Sequence, residues 1–363
     1  MPADLSSYPL SANQLSKLHA NGFVNSKDVL ELTATELSKE LQITSTEALD
    51  IRNAIKGDTG IQSYNKSAYE LMKEEEKDTP IVTFCAALDE IIGGGIPIGK
   101  ITEFCGAPGM GKTQFGIQLS VDAQIPELFG GVEGEACYID CEGSFVCERV
   151  VEIADAACKH ISNVAETDKE IETARRFNFE SVLKGIHTYR CHDYIQLIAL
   201  SHLLPEFLTE HPKVKIIILD SIAFHFRHDF EDLGLRTRLL HGLVQSFMKI
   251  AHEHKLAVVF MNQMTTKISP TEESRLIPAL GQSWGHACTV RIILNSRNGQ
   301  RYAQLFKSPC QEEATIPFDI VKEGIRDVHT ADETINKSVT SLDDSKIQQV
   351  PENKPPKRMK IES

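Results

Sequence analysis

Positive charge is scarce in this chain. Its 363 residues carry 38 Lys and Arg against 51 Asp and Glu, a formal net charge of −13. Wrapping nucleic acid through its phosphates takes an excess of cations, so any such binding must come from local patches, from partner chains, or from both. Tight cysteine pairs are missing as well. None of the nine Cys stands in a CxxC pair, which argues against a structural zinc site and for free thiols in a reducing compartment. No apolar run reaches the ~18 residues of a membrane span. Residues 1–10 lack the charged start and apolar core of a secretory signal. No internal repeat is found. With 41% hydrophobic and 25% charged residues, the composition that remains is ordinary for a globular protein. The length suits one large α/β domain and a smaller one.

Residues 1–56 read as a small helical bundle, because Leu15, Leu18, Phe23, Val29, Leu37, Leu41, Ala48, Ile51 and Ile55 recur at helical spacing. Asp28 and Thr44 sit where caps would help. Residues 57–79 are polar, with a charge run at 73–78, and read as a linker with a short helix and an interface segment. From 80 to 329 apolar strands alternate with amphipathic helices, the pattern of a mostly parallel sheet with crossovers. Expected strands are 101–105, 136–139, 186–190, 215–219 and 256–261. The runs at 289–294, 302–306 and 315–320 are expected to be antiparallel additions at the sheet edge. Residues 330–363 are polar and are expected to be disordered. They hold a basic cluster, Lys354 to Lys360, which reads as a nuclear-import signal.

The chemistry starts at Gly106-Ala107-Pro108-Gly109-Met110-Gly111-Lys112-Thr113, a GxxxxGK[ST] loop with an apolar strand running in and a helix running out. Glycines let backbone N–H groups converge on phosphates, and the helix start adds its positive end. Lys112 then neutralises the β- and γ-phosphates of ATP, and the Thr113 hydroxyl ligates Mg²⁺. Asp220 closes an apolar strand and suits the Mg²⁺ shell. A second strand ends in Asp140 and Glu142, one of which is placed to activate the attacking water. A third ends in Asn262 and Gln263, and an amide there faces the nucleotide crevice. In the long segment 264–285, Lys267, Arg275 and Trp284 suit phosphate contact and stacking on unpaired bases.

Together these segments resemble the eukaryotic RecA-like recombinase family, the Rad-fifty-one group. The likeness rests on Leu88 to Pro97, Gly99 to Glu103, the phosphate loop with Gln114, Tyr138 to Gly143 with Glu148 and Arg149, His286 to Arg291, and Ser308 to Cys310. Within the family the chain looks most similar to the type-C paralogue, through 83–89, 222–229 and 283–287. The resemblance implies a RecA-type P-loop ATPase core behind a small N-terminal bundle. It makes Glu142 the water-activating carboxylate and Gln263 the γ-phosphate sensor, and it lays Arg149 against the adenine. It makes 224–235, which holds Arg227, the first DNA loop, and 264–285 the second.

Three departures from the family pattern stand out. The self-assembly motif is Phe followed three residues later by Ala; Ala68 fits, but Asn65 replaces the Phe. Burying a Phe is worth about 1.5–3 kcal/mol, so long homopolymers are disfavoured. The first loop is acidic, with Asp229, Glu231 and Asp232. Lys307 replaces an Asp that caps a neighbour's nucleotide, which puts an ammonium within reach of an adjacent γ-phosphate. The resemblance thus implies a slowly hydrolysing, DNA-dependent ATPase of homologous recombination. It would be nuclear and also cytoplasmic, and would work on single-stranded DNA in hetero-oligomers with the type-B and type-X-three paralogues and the main recombinase. The alternative is an autonomous strand-exchange enzyme that forms its own filament.

Overall fold

Helix starts in the first part of the chain are set by side chains reaching back to the backbone. In the computed structural model, which describes residues 4–8, 10–56, 67–228, 230, 232–267, 275–281 and 283–328, reciprocal capping boxes open α1 (Ala12–Ala20, by Ser11 and Gln14), α2 (Ser26–Leu30, by Asn25 and Asp28) and α3 (Ala34–Leu41, by Thr33 and Glu36). Asp28 acts from the third helical position rather than as the cap itself. Helix α4 (Ser45–Lys56) starts after Thr44, whose hydroxyl accepts from Glu47 N–H at 3.2 Å. Leu18, Val29, Leu37 and Ile51 are fully buried between these helices. Helix α5 (Ala68–Glu75) is capped by Ser67 and Glu70, buries no residue, and exposes Tyr69, Leu71 and Met72. The chain divides into two compact units, residues 1–78 and 79–363. Asn65, Asp229, Glu231 and the segment 330–363 with its basic cluster lie outside the described residues.

The second unit opens with α6 (Ala86–Ile92), then β1 (Ile101–Gly106), α7 (Lys112–Asp122), β2 (Glu135–Asp140), α8 (Cys147–Val164), α9 (Asp168–Arg176), α10 (Phe179–Lys184) and β3 (Ile186–Arg190). It continues with α11 (Tyr194–Glu210), β4 (Val214–Asp220), α12 (Phe224–His228), α13 (Leu233–Glu253), β5 (Ala257–Lys267), β6 (Arg275–Pro278), β7 (Val290–Arg297), β8 (Gln300–Lys307), β9 (Ala314–Val321) and β10 (Gly324–Asp327). The sheet order is β10-β9-β8-β7-β1-β5-β4-β2-β3, with β6 paired to β5. This is an α/β fold with a mostly parallel sheet, as the sequence led us to expect. Alternate residues of the central strands enter two separate cores, Ile216 and Ile218 on one face and Ile217 and Leu219 on the other.

Two expectations need correction. Strand β7 is not an antiparallel addition: it pairs parallel to β1, with Thr102 opposite Val290. The reason is the return of the chain after β5, which brings Thr289 N–H to Ile101 O at 2.9 Å, at the start of β1. The antiparallel edge begins one strand later, with β8. The segment 264–285 is also not a plain loop. Residues 264–267 of β5 pair antiparallel with β6, and Ser283–His286 form a turn of 3₁₀ helix. Six of the cysteines are buried and only Cys147 and Cys310 are exposed. Among the described residues no helix is long and apolar enough to cross a membrane.

Candidate functional site

Asp140, Asp220, Asn262 and Gln263 lie where the parallel pairing of their strands ends, and Glu142 follows two residues after Asp140. Strand β1 delivers Gly106 to the loop, and the loop ends on α7. Gly111 has φ +103°, and a Cβ there would stand 2.5 Å from Ile320 Cδ1, so β9 presses on the loop at a point where only glycine fits. Lys112 Nζ donates to Gly106 O at 2.8 Å and Ala107 O at 3.1 Å. Thr113 Oγ1 donates to Asp220 Oδ2 at 2.6 Å, and Tyr138 Oη donates to the same oxygen at 2.9 Å. Burial pushes the Asp220 carboxyl above its usual range, with the Thr113 and Tyr138 hydrogen bonds working against it. Burial likewise draws the Lys112 ammonium down, opposed by Asp220 and Glu142.

Gly111, Lys112, Thr113, Asp220 and Ile320 line a cavity of about 710 Å³ with Pro108, Gln114, Glu142, Arg149, Arg301 and Lys322. Arg149 spans its rim. The guanidinium donates to Gln114 Oε1 at 2.7 Å and to the carbonyls of Val321 and Lys322, each at 2.6 Å.

The two acids at the end of β2 separate in role. Asp140 Oδ1 accepts from the N–H groups of Glu142, Gly143 and Ser144 at 3.1, 2.7 and 3.2 Å, and pairs with Arg190 at 2.9 Å. It builds the turn. Glu142 is thereby turned to the cavity, and its Oε1 accepts from Gln263 Nε2 at 2.7 Å and from Ser221 Oγ. Gln263 Oε1 in turn accepts from Arg227 Nη1 at 2.5 Å. Sequence reasoning gave Tyr138, Ser221 and Arg190 no role in the site. The only sign of Tyr138 was its place two residues before Asp140 on the same strand face.

Three residues land elsewhere than expected. Trp284 is no stacking platform: it is 4% exposed, and Nε1 donates to Glu103 Oε1 at 2.6 Å in the core. Lys307 is tied inside its own chain, donating to Cys288 O at 2.6 Å and Gly285 O at 3.1 Å, so the ammonium is not free to meet a neighbour's phosphate. Arg227 is engaged by Gln263. Lys267 and Arg275 are backbone partners in the β5–β6 register. Ala68 is exposed, at the start of α5.

The donor set fits a nucleoside triphosphate with Mg²⁺. It offers a glycine cradle closed by Ile320, an ammonium, and a hydroxyl bonded to a buried carboxylate, and a lining of mixed charge. The family model described as Rad51 matches residues 76–328. The DNA repair protein RAD51 homolog 3 of Cricetulus griseus is 48% identical over 340 residues, 90% of this chain and 93% of that protein. The protein of the same name from Dictyostelium discoideum is 48% identical over 259 residues, 71% of this chain and 68% of its own length.

Proposed function

This chain belongs to the Rad51 family, and from that premise we propose that it is an ATP-binding, slowly hydrolysing factor of recombinational DNA repair. In this reading it acts on single-stranded DNA within hetero-oligomers of recombinase paralogues, those of types B and X-three, that support the main recombinase. It works in the nucleus, and also in the cytoplasm. The observation that carries the reading is the convergence of Lys112, Thr113, Asp220 and Glu142 on one cavity.

When bound, ATP with Mg²⁺ supplies the phosphoryl group that is transferred to water. Lys112 would hold its phosphates, Thr113 and Asp220 the shell of the ion, and Gln114 and Arg149 the side of the base. Glu142 Oε1 is taken up by Gln263 and Ser221, which leaves Oε2 to receive a proton from water. Gln263 is itself steadied by Arg227, at the end of β4's following helix. Arg227 therefore has two claims on it: the amide of Gln263, and any DNA phosphate that reaches α12. A phosphate that draws the guanidinium away loosens Gln263 from Glu142, and so links DNA occupancy to hydrolysis.

Lys112→Ala tests the reading. It should abolish nucleotide binding, measured by equilibrium titration, with the fold intact by circular dichroism; binding at wild-type affinity would sink the assignment. Co-purification with candidate partners, and mass measurement with and without ATP, tests the assembly. Extended filaments of the isolated chain on single-stranded DNA would instead favour the autonomous strand-exchange enzyme.

A further inference from the structure

The end of the sheet away from the phosphate loop holds a second set of convergent side chains. Glu135 opens β2, and Asp140 at the other end of that strand is roughly 17 Å away by the strand rise. His187 is the second residue of β3, and the parallel pairing sets it opposite Cys137. Glu135 lies two residues before Cys137, hence on the same face of the sheet. His211 follows the last turn of α11. Pro212 after it keeps it out of the helical region, at φ −117° and ψ 67°.

Backbone bonds pin this corner. His211 N–H donates to Phe207 O at 2.8 Å, Val214 N–H to His211 O at 3.1 Å, and Glu135 N–H to Lys213 O at 2.7 Å. Three elements thus carry their side chains to one place. His187 Nε2 is 2.7 Å from Glu135 Oε2. The His187 and His211 rings stand 4.5 Å apart, centroid to centroid, at 55°. Phe207 backs both rings, at 5.2 and 4.5 Å, and limits where they can turn. One ligand atom from each of Glu135, His187 and His211 lies within 4.8 Å of the others.

We propose that Glu135, His187 and His211 form a binding site for a divalent transition ion of the zinc class. Two imidazole nitrogens and one carboxylate suit such an ion, whereas Ca²⁺ and Mg²⁺ prefer oxygen ligands. Ligand atoms at about 2.0–2.2 Å from a tetrahedral ion stand roughly 3.3–3.6 Å from one another. The observed spread therefore closes on an ion by side-chain rotation. The fourth position belongs to water. The side chains of His187 and Glu135 are 23% and 28% exposed, so an ion can enter from solvent. Bound there, it fastens the edge strand β3 to the turn between α11 and β4, remote from the nucleotide.

The test uses the full chain, stripped with chelator and kept in excess Mg²⁺ so that oxygen sites are filled. Zn²⁺ is titrated by calorimetry, and thermal unfolding is followed with and without it. We expect one Zn²⁺ per chain, an upward shift of the melting temperature, and at least ~100-fold weaker binding in His187→Gln/His211→Gln, in line with loss of two of three ligands. Glu135→Gln should weaken binding less, with melting in the absence of metal close to wild type. Cobalt substitution of the wild-type chain gives a second readout that needs no variant. A visible spectrum of nitrogen and oxygen ligands supports the site, and a thiolate-to-cobalt band places the metal on cysteine and overturns it. Wild type that takes up no more Zn²⁺ than the double variant also overturns it, and leaves Glu135 and His187 as a hydrogen-bonded pair.

Discussion

Two neighbouring residues of β5 serve two different carboxylates. Asn262 Nδ2 donates to Glu103 at 2.7 Å, and Gln263 Nε2 donates to Glu142 at the same distance. Alternation along the strand sends one amide into the core and the other to the crevice. Glu103 is fully buried and accepts on both oxygens, from Asn262 and from Trp284 at 2.6 Å on Oε1 and from Arg291 at 2.5 Å on Oε2. Burial works against the Arg291 charge, but Glu103 overcomes it and holds the guanidinium above its usual range. Glu142 has partners on one oxygen only and lines a cavity. Engaging both oxygens of a buried acid makes an anchor, and leaving one oxygen open makes a group that can take a proton.

The largest effect is expected at the closed cluster. Glu103→Ala leaves Arg291 charged and unpaired in the core, and should cost about 3–5 kcal/mol in chemical denaturation. Wild-type stability for this variant would mean that the cluster is not what holds β1, β5 and β7 together. Glu142→Gln should do the reverse. Its denaturation midpoint should stay within about 0.5 kcal/mol of wild type, while turnover falls at least ~100-fold with nucleotide still bound. Unchanged turnover would assign the water to another group.

Arg227→Ala is expected to change turnover about tenfold, the lower end of what a hydrogen bond from a charged donor contributes. It should also make the rate insensitive to single-stranded DNA. If Arg227 meets a phosphate as well, the salt slope of DNA binding falls by about 0.7. Titration and turnover assays across salt, with and without partners, separate the two roles. A changed slope with unchanged turnover would remove Arg227 from the chain of bonds to Glu142.

A third acid sharpens the contrast. Asp89 accepts from Thr83 N–H at 3.1 and 3.2 Å, and burial raises its carboxyl to about 6. The unfolded value is about 3.9, so folding disfavours the ionised form. Its favourable contribution is present below about pH 4 and lost as pH rises through about 6. Asp89→Asn keeps an acceptor for Thr83 and should flatten that part of the stability profile. The gain at neutral pH should be on the order of 1 kcal/mol, discounted for partial solvent access. A profile parallel to wild type between pH 4 and 7 would refute this.

How far the site could be read in advance depended on distance along the chain. The phosphate loop is contiguous, and Asp220 and the strand before it are local patterns, so both were legible. So was the parallel core, because a strand buried on both faces leaves a continuous apolar run. The strand pattern alone did not separate Glu142 from Asp140, since the choice depends on which acid caps its own turn; only the family resemblance singled out Glu142. Trp284 was misread because its partner Glu103 lies 181 positions away, and no local rule pairs an indole with a buried carboxylate. The direction of β7 was misread for a related reason: a run of apolar residues does not say from which end of the sheet the chain enters.

The distribution of thiols has a practical consequence for following this molecule in solution. With six cysteines buried, a maleimide dye should attach chiefly at Cys147 and Cys310. Cys147 is the first residue of α8, five positions after Glu142. In a Cys310→Ser background, a fluorophore at Cys147 becomes an optical reporter on the turn that carries Glu142. It would allow nucleotide arrival, and its dependence on DNA, to be timed by stopped flow without touching any residue that lines the cavity.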